Sequence, residues 1–190
     1  MEPIDIEGEY YLEGMQEMAS GFLFKPGGEF QFFFSYGALD RHGAGKWELD
    51  NENLKLNSAA KPQYDFTLMK SSKVPGDSIT IKMEKAGNMP LNYVYCSLEK
   101  GKEGSWVQMS AGGEAEFPKQ KLETISLLFE FCPERFSTIP VNGDHNEFIF
   151  RFEPTIMEVF LENFSLRAAP GELSGAHPLM EGKEFRYVKQ

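Results

Sequence analysis

Three histidines, two cysteines and a scatter of carboxylates are the residues of this chain whose types could do chemistry. His42 follows Asp40-Arg41 between two aromatic or Trp-bearing runs, where it could serve as a pocket base or a metal ligand. A solvent-facing turn is the expectation there, since an isolated histidine needs a partner to carry a role. Asn142-Gly-Asp-His-Asn146 gathers oxygen and imidazole donors in one loop. A hard cation such as calcium wants six to eight oxygens, and this loop offers few carboxylates, so turn chemistry accounts for it. His177-Pro178 reads as a turn with no evident partner. HExxH, Gly-x-Ser-x-Gly, P-loop and Cys-x-x-Cys patterns are all missing, and no cofactor or metal site is expected. Glu9 with Glu13, and Glu158 with Glu162, read as solvated faces. A glycosidase pair cannot be picked from the 29 acids without a cleft.

The aromatics offer a different chemistry, stacking. Any of Tyr10, Tyr11, Phe33, Tyr93, Tyr95 and Trp106 left on the outer face of a sheet would make a platform for a sugar or a partner protein. Tyr93, Tyr95 and Trp106 are the binding residues expected, because Tyr93 and Tyr95 alternate with Val94 and Cys96. Cys96 shares its strand face with Val94 and Leu98, which predicts a buried thiol. Pairing of Cys96 with Cys132 is left open by the sequence.

Such side chains must be positioned by strands. The chain has 190 residues, 17 of them Phe against 7 Tyr and 2 Trp, and Phe and Tyr favour half-buried pleated surfaces. Gly8 to Glu13 is a plausible first strand. Met18 to Phe24 and Glu29 to Tyr36 flank Lys25-Pro-Gly-Gly28, a turn in which Pro presets φ and Gly supplies positive φ. Phe30, Phe32, Phe34 and Tyr36 share one face and form the best core stripe. Gly45-Lys-Trp47-Glu-Leu49, the turn Asp50 to Asn53, and Leu54-Lys-Leu56 complete a meander. Tyr64 to Leu68 adds a strand, and a boundary is expected near Pro75.

Beyond it, Ser78 to Met83, Leu91 to Leu98, Ser105 to Met109, Gly113 to Phe117 and Leu122 to Phe131 alternate or run apolar as strands. Asn142-Gly143 ahead of the Glu147 to Phe152 strand is a hairpin signal. Met157 to Leu161, Phe164 to Leu166 and Gly182 to Val188 continue the pattern. The reading is an all-β protein: an antiparallel meander over residues 1–74, followed by a β-sandwich over 75–190.

Gly8-x-Tyr10, the aromatic hairpin, Gly45-x-Trp47 and Leu54-x-Leu56 resemble the small antiparallel modules of lipocalin-like and other bacterial β proteins. That likeness implies a meander or half-barrel and brings no catalytic residue. Ile79-Thr-Ile-Lys82, Asn88-Met-Pro90 leading into Tyr93-Val-Tyr95, Gly113 to Phe117 and Leu127-Leu-Phe129 are similar to transthyretin-like or carboxypeptidase-regulatory sandwich domains. Those are mostly structural or adhesive accessories, a fold-level analogy.

The net charge of −10 falls mainly on residues 1–60, with 11 acids against 4 bases. Nucleic acid and anionic membrane surfaces both call for a basic face, so neither is an expected partner. No apolar run reaches the ~18–20 residues of a membrane-spanning helix. Met1-Glu-Pro-Ile implies a cytoplasmic protein if it is the native start, and a periplasmic or extracellular one if a signal was removed. The function expected is a non-catalytic binding or accessory protein for a carbohydrate, peptide or partner surface. The alternatives are a hydrolase with carboxylates converging in a cleft, and a lipocalin-like carrier of a small apolar ligand.

Overall fold

The computed structural model describes residues 4–85, 87–182 and 184–190, and it is all-β. Two compact units divide it, one formed by residues up to 61 together with 157 onward, the other by 62–156. The sequence places a single boundary near residue 75, with 75–190 as one sandwich. Instead the chain leaves the first unit after its fifth strand and returns to it for the last three. The strands from Phe164 onward carry the same alternation as any others, so their pattern alone does not say which sheet they complete.

The first unit is a closed antiparallel barrel of eight strands. Its strands are β1 (Gly8–Leu12), β2 (Met18–Lys25), β3 (Glu29–Tyr36), β4 (Leu39–Asp50) and β5 (Asn53–Ser58), which pair in succession. After the second unit come β14 (Phe164–Ala169), β15 (Glu172–Gly175) and β16 (Phe185–Lys189). β14 pairs with β5, and β16 pairs with β1 to close the ring. Period-two alternation sends Tyr10, Phe22, Phe24, Phe30, Phe32, Leu54, Leu56, Leu166, Leu173 and Tyr187 inward, all at 1% exposure or less. Phe22 lies at the centre, with ring centroids 5.1 Å from both Phe32 and Tyr187 and 5.7 Å from Phe24. The expected stripe holds at its start and runs out at its end, where Tyr36 is 52% exposed.

The return segment helps to fill the barrel. Val159 and Leu161 join the core, and Glu158 bridges to His42 beside the part of β4 that lies beyond its pairing with β5. Val159 N–H donates to His42 O at 2.7 Å. A Cβ at Gly43 would stand 2.6 Å from Val159 O, so a glycine lets the two backbones meet. The buried Arg41 guanidinium donates to the carbonyls of Met157 and Glu158.

The second unit contains two four-stranded sheets. One has the order β10 (Glu114–Pro118), β7 (Ser78–Met83), β13 (Glu147–Phe152), β6 (Phe66–Ser72), with β7 and β13 parallel. The other has β12 (Ser137–Pro140), β11 (Thr124–Phe129), β8 (Val94–Ser97), β9 (Val107–Gln108), with a 3-10 turn at Leu91–Tyr93 leading into β8. Phe129 of one sheet meets Phe152 of the other, ring centroids 5.0 Å apart, which is the packing of a sandwich. Asn142-Gly143 does not make the expected hairpin, because β12 and β13 belong to different sheets. Asn142 Oδ1 accepts from Asp144 N–H, while the Asn146 side chain ties Val74 N–H to Ser78 O, so the loop is a crossover held by amides. Cys96 and Cys132 are both buried, and no disulfide joins them. No helix among the described residues is long and apolar enough to cross a membrane.

Candidate ligand groove on the barrel surface

The outward positions of β1 to β4 line up in rows across the barrel wall. One row is Tyr11, Gly21, Phe33, His42, and the next is Glu9, Leu23, Gln31, Ala44, each residue paired with its neighbour on the adjacent strand. A groove of about 400 Å³ lies along these two rows. Beside it, a Cβ at Gly21 would fall 2.2 Å from Tyr10 O and 3.0 Å from the Phe33 ring, so only a glycine lets the strand and that ring close up there. With no side chain at that point, Phe33 leans across the strand and meets Tyr11 edge to face, centroids 5.5 Å apart. Tyr11 is exposed and Phe33 half-buried, so both present ring surface to the groove.

The polar groups sit beside these rings. Tyr11 O–H donates to Glu9 Oε2 at 3.2 Å, and the carboxylate raises the tyrosine's pKa by stabilising the neutral hydroxyl. Gln31 and His42 are exposed on the far strands. His42 lies within β4, in a strand and not in the turn expected of it. Its backbone is engaged on both sides, by Phe33 and by the Glu158 bridge, while the imidazole is left facing the groove. Glu9 and His42 are three strands apart, ~14 Å at the usual inter-strand spacing, which is too far for an acid–base pair to share a proton.

A second place brings together residue types that could react. His177 is 4% exposed and enclosed by the rings of Phe32, Phe34, Phe185 and Tyr187 at 5.5–6.3 Å. Its Nε2 is 3.0 Å from Ser20 Oγ, the residue pair of a hydrolase nucleophile. The hydrogen bonds run the wrong way for that. Leu179 N–H donates to Nδ1 at 3.0 Å, so Nδ1 is the unprotonated nitrogen and Nε2 carries the hydrogen. Nε2–H therefore donates to Ser20 Oγ, whose own hydrogen goes to Phe33 O at 2.8 Å. The serine is held as a link in a buried chain, and its proton is not offered to the imidazole. Burial lowers the His177 pKa to about 4.

Tyr93, Tyr95 and Trp106 all lie in or beside the β8–β9 end of one sandwich sheet, and all three are half-buried. Tyr93 stacks on Phe131 at 4.8 Å, and Trp106 meets the exposed Phe136 edge on at 5.5 Å. Tyr95 stands opposite Leu128 and donates its hydroxyl to Glu130 Oε2 at 3.0 Å. The sandwich thus carries an aromatic patch, whereas Tyr11 and Phe33 line a cavity. Tyr10, from the same group of candidates, is wholly buried. The sequence does contain the signal for the groove, since Tyr11 and Phe33 occupy the outward phase of their strands. What it hides is the register that places them either side of Gly21. His177 with Ser20, 157 positions away, has no local signal at all.

No protein-family model matches this chain, and no curated protein matches it. Among solved structures, a crystal structure of the Helicobacter pylori beta clamp bound to a DNA ligase peptide aligns at 10% identity with a TM-score of 0.15. The alignment covers 97% of this chain and 57% of that one, so this chain spans little more than half its length. A likeness of that degree carries no argument about fold or function.

Proposed function

We propose that this is a non-catalytic binding protein that takes a carbohydrate on the outer face of its barrel. The observation that carries the reading is the Tyr11–Phe33 pair standing over Gly21 with Glu9 and Gln31 in the adjoining row. Sugar rings present an apolar C–H face that stacks on aromatic rings, and a rim of hydroxyls that bond to planar carboxylate and amide groups. A groove with two rings and a few placed polar groups matches both requirements.

The other occupants fit less well. A peptide adds to a sheet through free strand edges, and strands inside a closed barrel have none to give. A stable protein partner needs ~800 Å² of surface on each side, far more than this groove supplies. An apolar ligand carried inside the barrel would have to displace the Phe22 ring cluster and the Val159–Leu161 segment. Hydrolysis by paired carboxylates needs them ~5–9.5 Å apart, and Glu9 is the one acid among the described residues of the two rows under the rings.

The test is calorimetric titration with a panel of neutral mono- and disaccharides, on the native protein and on Tyr11→Ala and Phe33→Ala. Losing one stacking ring should weaken the best binder by about tenfold in each variant. Unaltered circular dichroism would show that the fold persists. A native protein that binds no glycan, or variants that bind as the native protein does, would overturn the reading.

A further inference from the structure

The groove does not end at the second row. A further cavity of about 440 Å³ shares Gln31 and Ala44 with the first and continues along β3 and β4 to a third outward row, Lys25, Glu29, Lys46, Asn57. From the Tyr11–Phe33 row to this one is four residues along the strands, ~13 Å, enough for two linked pyranose rings but not filled by one. Ala44 between them keeps the floor low.

The two ends differ in charge. At the aromatic end stands Glu9, whose carboxylate already accepts from Tyr11. At the far end two ammonium groups flank one carboxylate: Lys46 Nζ is 2.9 Å from Glu29 Oε1, and both lysines hold the Glu29 pKa down. That ion pair is open to water on both sides, 68% and 57% exposed, so it exchanges partners at little cost. The row beyond is Glu48 opposite Lys55, neutral as a pair.

We infer that the groove reads a linear oligosaccharide of at least two rings, a neutral ring stacked on Tyr11 and Phe33 and a uronic acid ring whose carboxylate is held between Lys25 and Lys46. This rests on the carbohydrate reading of the same groove and adds a length, a charge and a direction to it. The direction follows from the balance of charge, since Glu9 repels an acidic ring from the aromatic end while Lys25 and Lys46 together outweigh Glu29 at the far one.

Disaccharides offered in matched neutral and uronic acid forms, such as galactobiose against digalacturonate and cellobiose against its uronic acid counterpart, separate the two ideas. The acidic member of the best-bound pair should bind about tenfold tighter at low salt, with the advantage shrinking as ionic strength rises. Lys25→Met combined with Lys46→Met, both surface changes, should abolish the preference and bring the acidic-to-neutral affinity ratio to one or below, because Glu29 remains there. Equal affinity for both forms in the native protein would overturn the acidic specificity and leave carbohydrate binding standing. So would a preference that survives in the double variant. Failure of every glycan would take down the underlying reading as well.

Discussion

Protonating His177 requires breaking the bond that Leu179 N–H makes to Nδ1, and it places a charge among four aromatic rings. The folded protein therefore resists the proton down to about pH 4, whereas in the unfolded chain the group titrates near the ordinary histidine value of 6.5. Above pH 6.5 both states are neutral and the residue imposes no penalty. Between 6.5 and 4 the unfolded chain gains a proton that the barrel refuses, and stability falls by a total on the order of 3 kcal/mol. Urea melts across that window should show the decline. In His177→Asn, whose amide oxygen can still accept from Leu179, the slope against pH should drop by about one proton, ~1.4 kcal/mol per pH unit. An unchanged slope in the variant would show that other groups cause the acid sensitivity.

At the scale of elements, what was legible in the sequence is what local chemistry decides. The β2–β3 hairpin follows from Pro26 and from Gly27 and Gly28 at φ of 86° and 79°, with the Phe stripe setting the phase on either side. β15 carries no local signal, because Glu172–Gly175 is short and lacks alternation strong enough to stand alone; its place depends on β14 and β16. In the sandwich, the element that local pattern could not reveal is an ion pair. Arg135 Nε lies 3.0 Å from Asp65 Oδ2, and the two side chains are 7% and 4% exposed. Arg135 Nη2 also donates to Ile156 O at 2.6 Å, and Ser137 Oγ accepts from Asp65 N–H, so the pair ties the ends of three segments together. Arg135→Met should cost about 3–5 kcal/mol by leaving a buried carboxylate uncompensated. Asp65→Leu with Arg135→Met should recover most of that loss, since the expense lies in the orphaned charge. A double variant as unstable as the single one would assign the cost to lost packing of the arginine stem.

For the molecule as a whole, the barrel is written in two pieces of sequence. Leu54 pairs opposite Leu166, 112 positions later, so no window of the chain contains the closing of the sheet. This is why the meander was legible and the barrel was not. It also means that closure must wait for a long-range pairing, the kind that slows folding. Long insertions cost little once the strands meet, because loop entropy grows only logarithmically with length. The junction is itself well fastened: Ser58 N–H donates to Leu161 O at 2.8 Å, Leu161 N–H to Ser58 Oγ at 3.0 Å, and Asn163 N–H to Asn57 Oδ1 at 2.8 Å. All eight barrel strands and the 157–161 segment lie outside residues 62–156. Replacing 62–156 with a short Gly/Ser linker from Lys61 to Met157 should therefore give a barrel that unfolds in one cooperative transition. Trp47 becomes its only tryptophan, edge on to Phe24 at 6.2 Å with its indole N–H donated to Lys25 O, and its fluorescence reports the transition directly. The shortened protein should also keep the glycan affinity of the full chain, because every residue lining the groove belongs to the barrel. A broad, non-cooperative melt would show that the barrel needs the inserted sandwich to reach its fold. A cooperative melt with lost binding would instead mean that the groove on β1–β4 is not where the ligand is held.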